Sequence, residues 1–254
     1  MTSEAPRAPA FRIAELSPRA RLTYAAHFFK AVCKQHHTAL VPILRPLIPE
    51  DGVVFDVGSH AGQYTKLFAR LARRGHVWSF EPAPYARSIL VPALRLNRLR
   101  NVTVLPCGLG DGEAELLLST PLKQSGSYRF GLAHLGADAR ATRQERVAIT
   151  TIDGVVATHR IARLDFIKAD IEGWELRMLT GGAAAIARWH PTLLLEVTEP
   201  ALARAGDSPA ALWAFLRAHG YRPWRLGDPA PAAAAEAPLQ GDILWLPPRH
   251  APAG

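Results

Sequence analysis

Cysteine is nearly absent: two in 254 residues, Cys33 and Cys107, far apart in the chain. A disulfide framework or a four-cysteine zinc site would need more, so both are excluded, and a reducing, cytoplasmic setting is expected. Long apolar runs are also missing. No stretch approaches the ~18 residues of a membrane-spanning helix, and Glu4 and Pro6 stand where a secretion signal would need basic and then apolar residues. Lysine is scarce, five residues against twenty-five arginines. What remains is an ordinary globular balance, 48% hydrophobic and 20% charged. A chain of this length can bury about 70% of its unfolded surface without covalent staples, and it suits one large α/β domain.

The formal net charge of +8 invites a nucleic-acid reading. The excess is local, however: residues 1–100 carry 15 basic and 6 acidic side chains, and the remainder is close to balanced. The arginines fall on helical patterns (Arg70, Arg73, Arg74; Arg95, Arg98, Arg100) with no interleaved surface aromatics. Solvated helix faces account for them best, attraction of an anionic substrate or surface comes second, and no nucleic-acid partner is expected.

Along the chain, residues 1–17 are polar and proline-rich. Ser17-Pro18 caps a helical pattern through Leu22, Ala25, Ala26, Phe29 and Val32. A second pattern through Leu40, Ile43, Leu44 and Leu47 is broken by Pro42, Pro46 and Pro49. Buried-type strands are predicted at 53–57, 76–80, 101–106, 165–169 and 192–197, alternating with helices at 64–74, 85–97, 172–179 and 209–219. Shorter strand-like pieces fall at 115–119 and 146–151, and two closing strands at 221–225 and 242–246. Strands alternating with helices predict a parallel sheet covered on both faces. The economical division is an N-terminal helical extension, 1–49, and one domain, 50–254. Residues 227–237 form an alanine- and proline-rich loop, and 120–145 is where a lid would be drawn from.

In such sheets ligands lie at the carboxyl ends of the strands, and the informative residues lie there. The first predicted strand runs into Asp56-Val57-Gly58-Ser59-His60-Ala61-Gly62, where glycines let backbone approach a ligand closely. The spacing is not G-x-G-x-x-G, and the lysine of a P-loop is absent. Glu81, followed by Pro82, ends the second strand 25 residues past Asp56, where an acid can accept both hydroxyls of a ribose. Asp170 and Glu172 follow the fourth strand, with Glu175 three residues further on, and Glu196 ends the fifth after three leucines.

Six segments together carry a resemblance: D-V-G-S-H-A-G-Q-Y-T (56–65), F-E-P (80–82), N-V-T-V-L-P-C-G-L-G-D (101–111), T-T-I-D (150–153), F-I-K-A-D-I-E-G-W-E (166–175) and P-T-L-L-L-E-V (191–197). In order, over about residues 50–200, they resemble the FkbM family of S-adenosylmethionine-dependent methyltransferases. The resemblance implies an α/β, Rossmann-like class I methyltransferase fold: a seven-stranded, mostly parallel sheet with one antiparallel strand and helices on both faces. It implies S-adenosylmethionine as cofactor and O-methylation of a sugar, a glycan or a natural-product hydroxyl. Asp56, Gly58 and Gly62 would line the methionine part of the cofactor, Glu81 would hold its ribose, and Cys107, Gly108 and Leu109 would flank its adenine. Ser59, His60, Tyr64 and Pro82 complete the expected cofactor contacts. Asp170 and Glu172 would face the methyl group and acceptor, with Glu196 as base or support.

Two positions depart from the family pattern. His60 stands where asparagine is more frequent, and Trp174 where histidine or tyrosine is frequent. The base would then be an acid or a histidine such as His60, or one of His36 and His37, whose side chains point to different helix faces. The acids could instead gather Mg²⁺, although no dedicated metal ligand is assigned. Two other readings stand beside this one: a catalytically silent cofactor-binding subunit, and an NAD(P)-dependent oxidoreductase, which the glycine spacing disfavours. The expected partner is a small-molecule or glycan acceptor, with no membrane span, and the sequence is compatible with a homodimer.

Overall fold

Short apolar runs closed by turns build the strands, and their period of two decides what each face of the sheet meets. The structure is a computed structural model that describes residues 11–121, 134–135, 142–226, 238 and 240–248. Its strands are β1 (Val53–Val57), β2 (His76–Phe80), β3 (Val102–Leu105), β4 (Cys107–Leu109), β5 (Ala114–Pro121), β6 (His134–Leu135), β7 (Thr142–Thr150), β8 (Phe166–Ala169), β9 (Thr192–Val197), β10 (Arg222–Arg225) and β11 (Gly241–Leu246). The helices are α1 (Pro18–Cys33), α2 (Val41–Leu44), α3 (Gln63–Leu71), α4 (Pro84–Leu96), α5 (Ile152–Thr158), α6 (Glu175–Thr180), α7 (Ala183–Trp189), α8 (Glu199–Ala205) and α9 (Pro209–Ala218).

Seven strands form the main sheet in the order β10-β11-β9-β8-β1-β2-β3. From β9 to β3 every neighbouring pair is parallel, while β11 runs antiparallel to both β9 and β10. The expected single reversed strand is therefore β11. Alternate residues of each strand join different clusters. Phe55, Ile167, Leu193 and Leu195 pack with Met178, Leu179, Ile186, Leu202 and Leu216 of α6–α9. Val54, Phe166, Leu194 and Leu244 pack with Leu44, Ile48, Leu67 and Phe68 on the other face. Both faces are thus covered, as the unbroken apolar runs predicted.

The strand-like pieces beyond β3 build a second sheet, β4-β7-β5-β6, which the local sequence did not announce. Only Pro106 separates β3 from β4, so the chain passes from one sheet to the other in a single residue. Antiparallel β5 and β7 hold it together over eight residue pairs. Leu118, Val147 and Ile149 pack on Ala83 and Ala86 and fix this sheet beside the start of α4.

Ser17 caps α1 by accepting a hydrogen bond from Ala20 N–H (3.3 Å). The helix forms where predicted, but the face it buries is the one carrying Ala20 and Ala31, with Tyr24, Phe28 and Val32 packed on Tyr85, Ile89 and Ala93 of α4. Of the residues that drew the helical pattern, Val32 lies on this inner face, whereas Leu22, Ala25, Ala26 and Phe29 face outward. The predicted alanine- and proline-rich loop at 227–237 and most of the predicted lid at 120–145 lie outside the described residues.

Candidate active site

Period two places a row of polar side chains on one sheet face at the strands' carboxyl ends. Val54 and Asp56, Phe166 and Lys168, and Leu194 and Glu196 each lie two apart, and the apolar member of each joins the same cluster. In register, Asp56 faces Lys168, Lys168 faces Leu194, and Glu196 faces Asp242 across the β9–β11 ladder. Asp170 continues the parity beyond β8. Lys168, Asp170, Glu196 and Asp242 edge a cavity of about 400 Å³.

The turn after β1 fixes one wall. Gly58 has φ +72°, and a Cβ there would meet the Asp170 carbonyl oxygen at 2.0 Å, so only glycine lets the two strand ends approach. His60 also takes a left-handed conformation (φ +49°), and its N–H donates to Glu81 Oε2 at 2.7 Å. Glu81 Oε1 accepts from Ala83 N–H at 2.8 Å. Burial pushes the Glu81 carboxyl up to about 7, against these hydrogen bonds. Burial, with His27 nearby, takes His60 down to about 4, and its Nε2 has no hydrogen-bond partner among the described residues. At neutral pH the ring is therefore uncharged.

Lys168 is buried at the centre of the row. Its Nζ lies 3.5 Å from Asp170 Oδ2 and 4.0 Å from Asp56 Oδ1, and donates to the Gly58 carbonyl (3.3 Å). It also sits 5.3 Å from the centre of the Tyr64 ring, on which His37 stacks at 4.0 Å. One ammonium thus faces Asp56, Asp170, Glu196 and Asp242, and the imbalance shows in their protonation. Burial raises Asp170, but Lys168 and a hydrogen bond with Glu196 outweigh that and hold it below its ordinary value. Glu196 is pushed up to about 8, first by that hydrogen bond and then by burial. Burial and Asp170 raise Asp242. The Asp170–Glu196 pair therefore carries one proton at neutral pH, and the two groups titrate together.

Apolar residues line the cavity as well, among them Phe80, Pro82, Leu109, Leu118 and Trp174. Of the expected cofactor contacts, Gly58, Ser59, His60, Tyr64, Glu81, Pro82, Gly108, Leu109 and Asp170 line the cavity, as do Glu172 and Glu196. Asp56, Gly62 and Cys107 do not. Asp56 is fully buried behind the wall, where Thr65 Oγ1 donates to its Oδ2 (2.5 Å). Gly62 caps α3, and Cys107 packs against the core, where burial pushes its thiol up to about 11. Among the described residues no group of three or more His, Cys, Asp or Glu side chains is arranged to hold a metal ion, so the expectation that the acids might gather Mg²⁺ finds no support. The Lys168 ammonium already stands among them.

The family profile described as Methyltransferase FkbM domain matches residues 56–223. The chain belongs to the FkbM methyltransferase family. Its main sheet has the Rossmann-like strand order of class I methyltransferases, five parallel strands extended by a reversed strand and its partner. Methyltransferase 1 of Beauveria bassiana (strain ARSEF 2860) is 24% identical over 149 residues, 52% of this chain and 59% of that protein. Methyltransferase sdnD of Sordaria araneosa is 24% identical over 159 residues, 53% and 61% respectively. The chain thus spans about three fifths of the length of these curated relatives. Methyltransferase FkbM from Methylobacillus flagellatus KT is a solved structure 19% identical to it, with a TM-score of 0.49, covering 78% of this chain and 44% of that one.

Three residues of this FkbM-family site escaped assignment from sequence: Lys168, Asp242 and, singled out only as one of a pair, His37. A lysine inside the apolar run F-I-K-A is itself a signal, because a strand covered on both faces tolerates a charge only beside partners. Glu172 corrects a second expectation. It does not open a helix: it has φ +54°, Gly173 follows at φ +104°, and α6 begins at Glu175. A Cβ on Gly173 would meet the Ala201 carbonyl oxygen at 2.1 Å, so the turn is pinned against α8. Arg204 Nη2 holds Glu172 at 3.2 Å.

Glu175, read as lying beside Glu172 on one helix face, instead ties this turn from within. Its Oε1 accepts from Ile171 N–H (3.1 Å) and Gly173 N–H (3.5 Å), and Oε2 is buried with no hydrogen-bond partner among the described residues. Burial raises its carboxyl from 4.5 to about 7. The folded state therefore holds the proton more tightly than the unfolded chain. That contribution is fully present below about pH 4.5 and is lost as pH rises through about 7. Glu175→Gln keeps the acceptor and cannot ionise. It is expected to raise Tm by roughly 2–4 °C at pH 8 and not at pH 5; equal effects at both pH values in thermal melts would refute the assignment.

Proposed function

We propose that this chain transfers a methyl group from S-adenosylmethionine to a hydroxyl group of a small molecule, either a sugar or glycan or a natural product. The observation that carries the reading is a cavity lined both by apolar residues and by carboxylates, with Glu81 in its wall. Its volume of about 400 Å³ is of the size small ligands occupy. The apolar lining suits an adenine ring. Each Glu81 oxygen accepts one backbone N–H, and each retains a lone pair for one hydroxyl of a ribose. The excess of carboxylate around Lys168 suits the ammonium of a methionine group.

When bound, S-adenosylmethionine supplies an electrophilic methyl group on a cationic sulfur. The protein's share of the reaction is to position an acceptor and to take its proton. Glu172, held by Arg204, and Asp242 edge the cavity and orient a hydroxyl there. The Asp170–Glu196 pair supplies the base: once its shared proton is lost, near pH 8, the pair can accept one from the acceptor. Lys168 keeps Asp170 ionised and fixed to the Gly58 turn.

Titration calorimetry followed by labelled methyl transfer tests the reading. S-adenosylhomocysteine is expected to bind, NAD⁺ not to bind, and label to pass from S-adenosylmethionine to a hydroxyl in a panel of sugar and small-molecule acceptors. NAD⁺ binding alone would overturn it in favour of an oxidoreductase. S-adenosylhomocysteine binding with no transfer to any hydroxyl would leave a silent cofactor-binding subunit.

A further inference from the structure

Helix α1 carries two apolar faces, and only one is covered among the described residues. The inner face is fastened to α4: Tyr24 Oη donates to the Ser88 carbonyl (3.1 Å), and His27 Nδ1 lies 3.1 Å from Tyr85 Oη. The outer face presents Leu22, 74% exposed, and Phe29, 69% exposed, seven residues apart and hence aligned, with exposed Ala25 and Ala26 between them. Ile13, just before the helix, is 44% exposed. Three of the five exposed large hydrophobic side chains among the described residues thus lie within seventeen residues of one another.

Charge surrounds this stripe, and it has one sign. Arg12, Arg19, Arg21, Lys30 and Lys34 are all exposed, and α1 contains no acid. None of the five has an ion-pair partner among the described residues. On a helical projection Arg19 and Lys30 flank one side of the stripe and Arg21 the other. The nearby acid is Glu15.

We infer that the outer face of α1 docks on an anionic lipid surface, with Leu22 and Phe29 entering the headgroup boundary and the flanking arginines and lysines meeting lipid phosphates. Charge complementarity selects this occupant. A second copy of the chain would set one basic helix against another with no acid between them. A nucleic acid would meet the arginines but offers nothing to Leu22 and Phe29. The stripe lies along the outer side of a helix, the geometry in which an apolar face enters a fluid interface. Basic residues beside an apolar helical face are what such binding uses. The inference is independent of the proposed reaction. It also gives the local basic excess a role beyond solvation.

Sedimentation of the full chain with lipid vesicles tests it. Partitioning onto vesicles of phosphatidylcholine mixed with phosphatidylglycerol is expected to exceed that onto phosphatidylcholine alone by about ten-fold or more. The excess should collapse between about 0.05 and about 0.5 M NaCl. The double variant Leu22→Glu with Phe29→Glu should lose the binding with its circular dichroism and Tm unchanged, since both side chains are exposed. Arg19→Glu with Lys30→Glu should lose the preference for the anionic vesicles. Equal partitioning onto both vesicles, or onto neither, would overturn the proposal. So would a dimer by light scattering that the Leu22 and Phe29 substitutions dissociate, because a second copy would then own the face.

Discussion

Glu81→Ala is expected to weaken binding of S-adenosylhomocysteine about 100-fold or more, near 3 kcal/mol. The size follows from what the carboxylate does. It stands between the turn after β1 and the start of α4, accepting from His60 and Ala83 N–H, and in the proposed reading its remaining lone pairs would accept from two ribose hydroxyls. Because burial raises it to about 7, its ionised form, the better acceptor, gains population as pH rises through that value. Affinity in the unsubstituted protein should rise over the same range, and Glu81→Gln should flatten that dependence. Calorimetry across pH measures both. Affinity of Glu81→Ala within a few-fold of the unsubstituted protein would remove the ribose from this position.

The second large effect concerns Glu196. In the unsubstituted protein the methyl-transfer rate should climb as pH passes through about 8, where the proton shared with Asp170 is lost. Glu196→Gln cannot accept that proton. Its kcat should fall about 10²- to 10³-fold, and the limb near pH 8 should disappear. The affinity for S-adenosylhomocysteine should change little. A lower rate that keeps the same limb would make Glu196 a structural residue and move the base elsewhere, with His37 and Asp242 next in place.

How much of this was legible depends on the range over which each residue is determined. The strands β1, β2, β8 and β9 are apolar runs with acids at or just beyond their carboxyl ends, so their positions and those of Glu81, Asp170 and Glu196 follow from local sequence. Pairing across long stretches does not. Asp242 belongs to the site because β11 runs antiparallel to β9 in a register that sets it opposite Glu196, and no neighbouring residue encodes that register. The second sheet was hidden for the same reason: parts of β5 and β7 were visible, but β4, β6 and the pairing were not. Glu172 misled because acids in a first helical turn are common, whereas the left-handed turn at 172–173 is imposed by the approach of Ala201. Helix α1 was found from a periodic apolar stripe, most of which then proved to lie on the outer of two faces. Periodicity reports that a face is apolar, not what covers it.

The place of β11 has a consequence for how the chain assembles. β11 lies between β9 and β10, both of which precede it in sequence. Until it is made, β9 offers an open edge carrying Leu193, Leu194 and Leu195, and β10 has no strand to join. A nascent chain that has reached β10 therefore displays the kind of bare, apolar edge that pairs with other chains and recruits chaperones. β11 closes that edge and at the same moment delivers Asp242 to the cavity, so the covering of the edge and the completion of the pocket wall are a single docking event.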